Sequence, residues 1–179
     1  MNDQQFAKRA REQEDLELFI EAHELATGEA FADLTGGETP DFTADDAEGR
    51  VVGVEITTFR FEQDARFFRR ISASRLFDPE ACSWLSDLVE KKSGTLTDGR
   101  WPNCDRKILV IMMVDISIVD IVAAAGLETH EPDEGGFDEI WLADRTQLDA
   151  FGAVDLFAVV HPTLQGHFAT GNRGQKPYG

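Results

Sequence analysis

A chain of 179 residues with 34 Asp and Glu against 17 Lys and Arg carries a formal charge of −17, and 42% of it is hydrophobic. The length suits one domain with a two- or three-layer core, the apolar content excludes a wholly disordered chain, and no apolar run reaches the roughly 18 residues of a membrane span. The opening MNDQQFAKRAREQED has no apolar stretch of the signal-peptide kind, and two cysteines, Cys82 and Cys104, without a CxxC or zinc spacing fit a reduced, cytoplasmic compartment.

In chain order, residues 4–27 have the spacing of an amphipathic helix, with Leu18, Phe19, Ala22, Leu25 and Ala26 on one arc, Leu16 and Ile20 widening it, and Gly28 as C-cap. A short strand over Ala30–Leu34 meets a turn at Thr35-Gly36-Gly37. Glu38–Thr43 reads as extended, because Pro40 biases Thr39 away from the helical region. Ala44–Gly49 is a polar hairpin connection, and Arg50–Phe59 is the clearest strand, with Val52, Val54 and Ile56 on one face and Glu55 and Thr57 on the other.

Glu62–Phe77 has helical spacing, and Asp78-Pro79 then caps and starts a second helix that runs to about Lys92 and stops at Gly94. Thr95–Asp105 is a loop, and Lys107–Val114 is a continuous apolar run that suits a buried central strand. A helix over Ile116–Ala125 ends at Gly126, and an acidic loop follows at His130–Gly136. Two further strands, Phe137–Ala143 and Asp155–Val160, flank a short helix at about Arg145–Phe151. Residues 1–165 form the expected single domain, an α/β fold with a mixed central sheet flanked by helices, and 166–179 a Gly-rich tail.

The charge is unevenly spread: residues 1–59 sum to −11, residues 60–110 to +2 and residues 111–179 to −8. A net anion is repelled by phosphate. The middle third, with Arg60, Arg66, Arg69, Arg70 and Arg75 and then Lys91, Lys92, Arg100, Arg106 and Lys107, is therefore the part suited to a polyanion, although such residues also serve as an ordinary solvated helix face.

One constellation carries chemistry. Asp41, a turn, and Glu55-Ile56-Thr57 on a strand would bring two carboxylates and the Ile56 carbonyl together if the strands pair, an all-oxygen set suited to Mg²⁺ or Mn²⁺. A Pro-Asp turn followed by a strand Glu also occurs where Asp merely caps a turn. Here, however, apolar and β-branched neighbours put Glu55 where an unpaired charge is costly. His161 and His167 lack a third partner at metal spacing, and GxSxG, Walker and GxGxxG patterns are absent. Cys82, beside Trp84 and Leu85, and Trp141, in a strand, read as core.

Pro40-Asp41 followed by Glu55-x-Thr57 resembles the PD-(D/E)XK nuclease superfamily, the restriction-endonuclease-like fold, over roughly residues 14–115. The resemblance implies an αβββαβ core with a C-terminal strand extension, DNA as substrate, and Mg²⁺ or Mn²⁺ held by Asp41, Glu55 and the Ile56 carbonyl. It adds a Glu from the first helix, for which Glu14 and Glu21 lie beside the apolar arc, ahead of Glu17 and Glu24, and it suits a homodimer for double-strand cutting. Arg60, Arg66, Arg69 and Arg70 would contact the phosphate backbone. Thr57 stands where the family has Lys, and a hydroxyl supplies no positive charge; Arg60, Arg69, Arg70, Lys91 and Lys92 are the substitutes within the chain. The alternative is a catalytically silent relative whose acidic surface imitates DNA or binds a basic protein.

Overall fold

The described residues form a seven-stranded sheet whose middle strand is the continuous apolar run of the sequence. A computed structural model describes residues 3–60, 78–97, 101–127 and 134–170. The elements are α1 (Asp3–Thr27), β1 (Ala32–Gly36), β2 (Phe42–Asp45), β3 (Val51–Phe59), α2 (Pro79–Thr97), β4 (Arg106–Met113), α3 (Ile118–Ala125), β5 (Glu139–Asp144), α4 (Leu148–Phe151), β6 (Asp155–Val160) and β7 (Gly166–Phe168). The strands follow one another across the sheet in chain order. The central pairs β3–β4 and β4–β5 are parallel, and the two pairs on each side are antiparallel. The expected α/β class with a mixed sheet and helices on both faces is the one observed.

A parallel centre is covered on both faces, which is why β4 reads as an unbroken apolar run. On one face Leu16, Phe19 and Ala22 of α1 cover Val54, Ile56, Val110 and Trp141. On the other, Ala81, Leu85 and Val89 of α2 and Ile118, Ile121 and Val122 of α3 cover Phe59, Leu109, Ile111 and Leu142. Among the described residues no helix is long and apolar enough to cross a membrane. The expected helix over Glu62–Phe77, with Arg66, Arg69 and Arg70, lies outside the described residues.

Several boundaries differ from the sequence reading. β1 begins at Ala32 and takes in Thr35 and Gly36, so the turn falls at 37–41. Residue Asp78 caps α2 as expected, its Oδ1 accepting the Glu80 N–H at 3.0 Å. The helix does not stop at Gly94 but continues to Thr97. A helical glycine costs about 1 kcal/mol, and burial of Leu96 against the core outweighs it. The expected tail starts with a strand: β7 pairs with β6, and Phe168 lies 5.9 Å from the Trp141 ring, so the domain runs past residue 165.

The buried line of α1 is also rotated from the expected arc. Leu25 is 50% exposed, whereas Asp15 and His23 are buried. Both polar groups face charged groups inside: Asp15 pairs with Arg145, and His23 Nε2, which makes no hydrogen bond among the described residues, lies 3.5 Å from Glu139. Glu139, fully buried at the start of β5, accepts the Trp141 Nε1–H at 2.7 Å and is paired with Arg106, which also reaches Glu29 at 2.8 Å. His161 accepts the Thr163 and Leu164 N–H groups at Nδ1 and turns Nε2 towards Glu139 at 3.8 Å, while His167 pairs separately with Asp155.

Burial acts to raise the Glu139 pKa, but the His23 and Trp141 donors and the Arg106 charge outweigh it and bring it down to about 2. The stabilisation from this anion is complete above the unfolded value of 4.5 and is lost as pH falls from there towards 2. Glu139→Gln should therefore lower urea-unfolding stability by about 3 kcal/mol at neutral pH. The deficit should shrink as pH approaches 2, and an equal deficit at both ends would contradict this role.

Candidate active site at the fork of β2 and β3

The site starts from a tight turn. The Gly37 N–H donates to the Asp41 carbonyl at 2.8 Å, and a Cβ at Gly37 would stand 2.6 Å from the Pro40 carbonyl oxygen, so the turn is closed by a residue without a side chain. β2 pairs with β3 from Phe42 opposite Val54 onwards. One step before that pair, at the residue opposite Glu55, regular pairing ends and a side chain takes over: Asp41 Oδ2 accepts the Ile56 N–H at 2.9 Å. In an extended strand the N–H and C=O of one residue point to the same side. The Ile56 carbonyl therefore opens into the same fork as Asp41.

Glu55 is buried on the face of β3 that meets α2. Its Oε1 accepts from Lys92 Nζ at 2.7 Å, and its Oε2 is buried without a hydrogen-bond partner among the described residues. Asp41 is pushed up to about 6, chiefly by burial and then by the negative charges of Glu55 and Glu12, against the opposing pull of the Ile56 N–H and the Lys92 charge. Glu12 comes from α1, where it pairs with Lys8 at 3.0 Å; the Lys8 pKa is raised first by that pair and then by Asp41 and Glu55. Three carboxylates and two ammonium groups thus share one electrostatic neighbourhood.

The fold places Asp41 on the Ile56 N–H and one step beyond the Phe42–Val54 pair, opposite Glu55. Thr57 shares the Glu55 face and is half-buried. The helix carboxylate differs. Glu14 is 56% exposed and lies 3.3 Å from Arg145, and Glu21 is exposed. Glu12 is on the line of Leu16, Phe19 and His23, at intervals of four, three and four residues, and this spacing was available in the sequence. Glu14 and Glu21 stand roughly 200° and 180° around the helix from it. Of the candidate cations among the described residues, Lys92 is the one paired with Glu55. Arg60 is exposed just after β3, and Arg66, Arg69 and Arg70 lie outside the described residues.

The donor set fits a hard divalent cation. An unpartnered buried carboxylate oxygen is costly unless something fills it, and Glu55 Oε2 is such an atom among the described residues, on a carboxylate whose charge acts on Asp41. Among the described residues no group of three or more His, Cys, Asp or Glu is placed to hold a metal. Mg²⁺ is commonly held by one or two carboxylates together with water and substrate phosphate, which is the number this fork offers. Comparison with family models, curated proteins and solved structures gives no match to the chain.

The raised Asp41 pKa has a stability consequence. Above pH 6 the folded chain holds an anion that burial disfavours; as pH falls from 6 to the unfolded value of 3.8 the folded form takes up a proton first and gains stability. Asp41→Asn should raise the melting temperature by a few degrees at about pH 7.5, and the gain should vanish near pH 4. A constant gain across that range would contradict the burial of this charge.

Proposed function

We propose that this chain is a divalent-cation-dependent phosphodiesterase acting on DNA, with the restriction-endonuclease-like core that the Pro40-Asp41…Glu55-x-Thr57 pattern resembles. The observation that carries the reading is the meeting of Asp41 and Glu55 at the fork, with one buried Glu55 oxygen unfilled and Lys92 Nζ on the other. The order α1, β1–β2–β3, α2, β4, with an antiparallel trio followed by a parallel crossover, also supports it.

Asp41, Glu55 and the Ile56 carbonyl would hold the Mg²⁺ or Mn²⁺ ion. Such an ion, when bound, supplies Lewis-acid stabilisation of a phosphodiester and a water of lowered pKa. The rest of the chemistry falls to the chain. Lys92 supplies the positive charge that Thr57 lacks; it arrives from α2 rather than from the strand, and it reaches the same carboxylate. From there it can stabilise charge that develops on a phosphate oxygen. Thr57 presents a hydroxyl on the same face, and the cationic middle third, Arg60 included, faces the polyanion against the acidic remainder of the chain.

A second reading has one observation in its favour: the Lys92 ammonium is itself paired with Glu55 and offsets its charge. In that reading the site is silent and the acidic chain binds a basic protein. Plasmid nicking with Mg²⁺ or Mn²⁺ separates the two. Wild-type protein should cut, Glu55→Ala should not, and Lys92→Ala should lose about 10²- to 10³-fold, the usual loss for one charge-stabilising group. Equal cutting by Glu55→Ala, or none by wild type with either metal, would rule out the nuclease reading.

A further inference from the structure

Lys92 belongs to the last turns of α2, the region where a helix frays unless it is tied down. Here it is tied by a chain of hydrogen bonds. Trp101 Nε1–H donates to Thr95 Oγ1 at 3.3 Å, and the Thr95 hydroxyl donates to the Lys92 carbonyl at 2.7 Å. A hydroxyl has one proton to give, so its direction is settled: it gives to Lys92 and receives from Trp101. The other end of the chain is Lys92 Nζ on Glu55 at 2.7 Å.

The Trp101 ring is itself held against β3. A Cβ at Gly53 would lie 2.5 Å from Trp101 Cζ3 and 2.9 Å from Cys104 Sγ, so the ring lies where only glycine leaves room. On its far side the ring meets Phe137 edge-on at 6.0 Å. Gly53 and Glu55 are two residues apart and share one strand face. The circuit Gly53, Trp101, Thr95, Lys92, Glu55 therefore begins and ends on the same face of β3.

We propose that Trp101 and Thr95 are positioning residues for Lys92, fixing the end of α2 so that the ammonium group stays on Glu55. This rests on the reading of Lys92 as the cation of the site. The structural basis is separable from catalysis, since the circuit determines how freely the Lys92 amine leaves Glu55 whether or not DNA is cut.

The test compares Thr95→Val, Thr95→Ser and Trp101→Phe with wild type in the full chain. One readout is the rate of reductive methylation of Lys92 relative to its exposed neighbour Lys91, with fragment ions assigning each site by mass spectrometry. Loss of one hydrogen-bonded link should speed Lys92 methylation about two- to tenfold in Thr95→Val and Trp101→Phe. Thr95→Ser, which keeps the hydroxyl, should restore the wild-type ratio. The second readout is Mn²⁺-dependent plasmid cleavage, where kcat should fall by a similar factor with KM unchanged, and where Thr95→Val should add nothing in a Lys92→Ala background.

An unchanged Lys92-to-Lys91 ratio in both Thr95→Val and Trp101→Phe, with folding intact by circular dichroism, would overturn the proposal. So would a full additional loss of cleavage from Thr95→Val in the Lys92→Ala background. If the wild-type chain cuts no DNA but the methylation ratio shifts as expected, the nuclease reading fails and the positioning of Lys92 stands.

Discussion

Glu55 is a carboxylate placed among hydrocarbon on a central strand. Taking such a charge out of water costs several kcal/mol unless partners offset it. Much of the surrounding structure is arranged around that requirement. Lys92 crosses from α2 to one oxygen, while the other is buried without a partner among the described residues. α2 continues through Gly94 to Thr97, keeping Lys92 inside the helix. The tight turn at Gly37 delivers Asp41 to the place where β2 leaves β3, and its side chain closes the ladder that the backbone leaves open.

Among the described residues, buried Glu139 and half-buried Asp41 have pKa values that move in opposite directions. Glu139 accepts from Trp141, is paired with Arg106 and lies 3.5 Å from His23 Nε2, and its pKa falls to about 2. Asp41 has one backbone donor and two neighbouring anions, and its pKa rises to about 6. The first centre joins α1 to the start of the parallel strands. The second is short of positive charge, which is the condition expected of a site that receives a cation or a reacting group.

How much was legible in the sequence follows the range of the interactions. β3 and β4 were plain because their patterns are local: alternation in one and an unbroken apolar run in the other. Asp41 and Glu55 were readable because a turn and a strand fix their spacing. Lys92 was one of several candidate cations, since its partner is 37 positions away and is chosen by where α2 crosses the sheet. Glu12 had a readable signal, the stripe it shares with Leu16, Phe19 and His23. That stripe was hidden because Asp15 and His23 look like outward residues until Arg145 and Glu139 are seen beside them. Gly94 looked like a stop for the same reason: propensity is local, whereas the contact that overrides it is not.

The most direct test is anomalous diffraction at the manganese edge from crystals grown or soaked with millimolar Mn²⁺. A single strong peak within coordination distance of Asp41, Glu55 Oε2 and the Ile56 carbonyl is the expected result. A site empty of manganese, with Lys92 still bound to Glu55, would contradict the assignment of this fork as a metal-dependent active site.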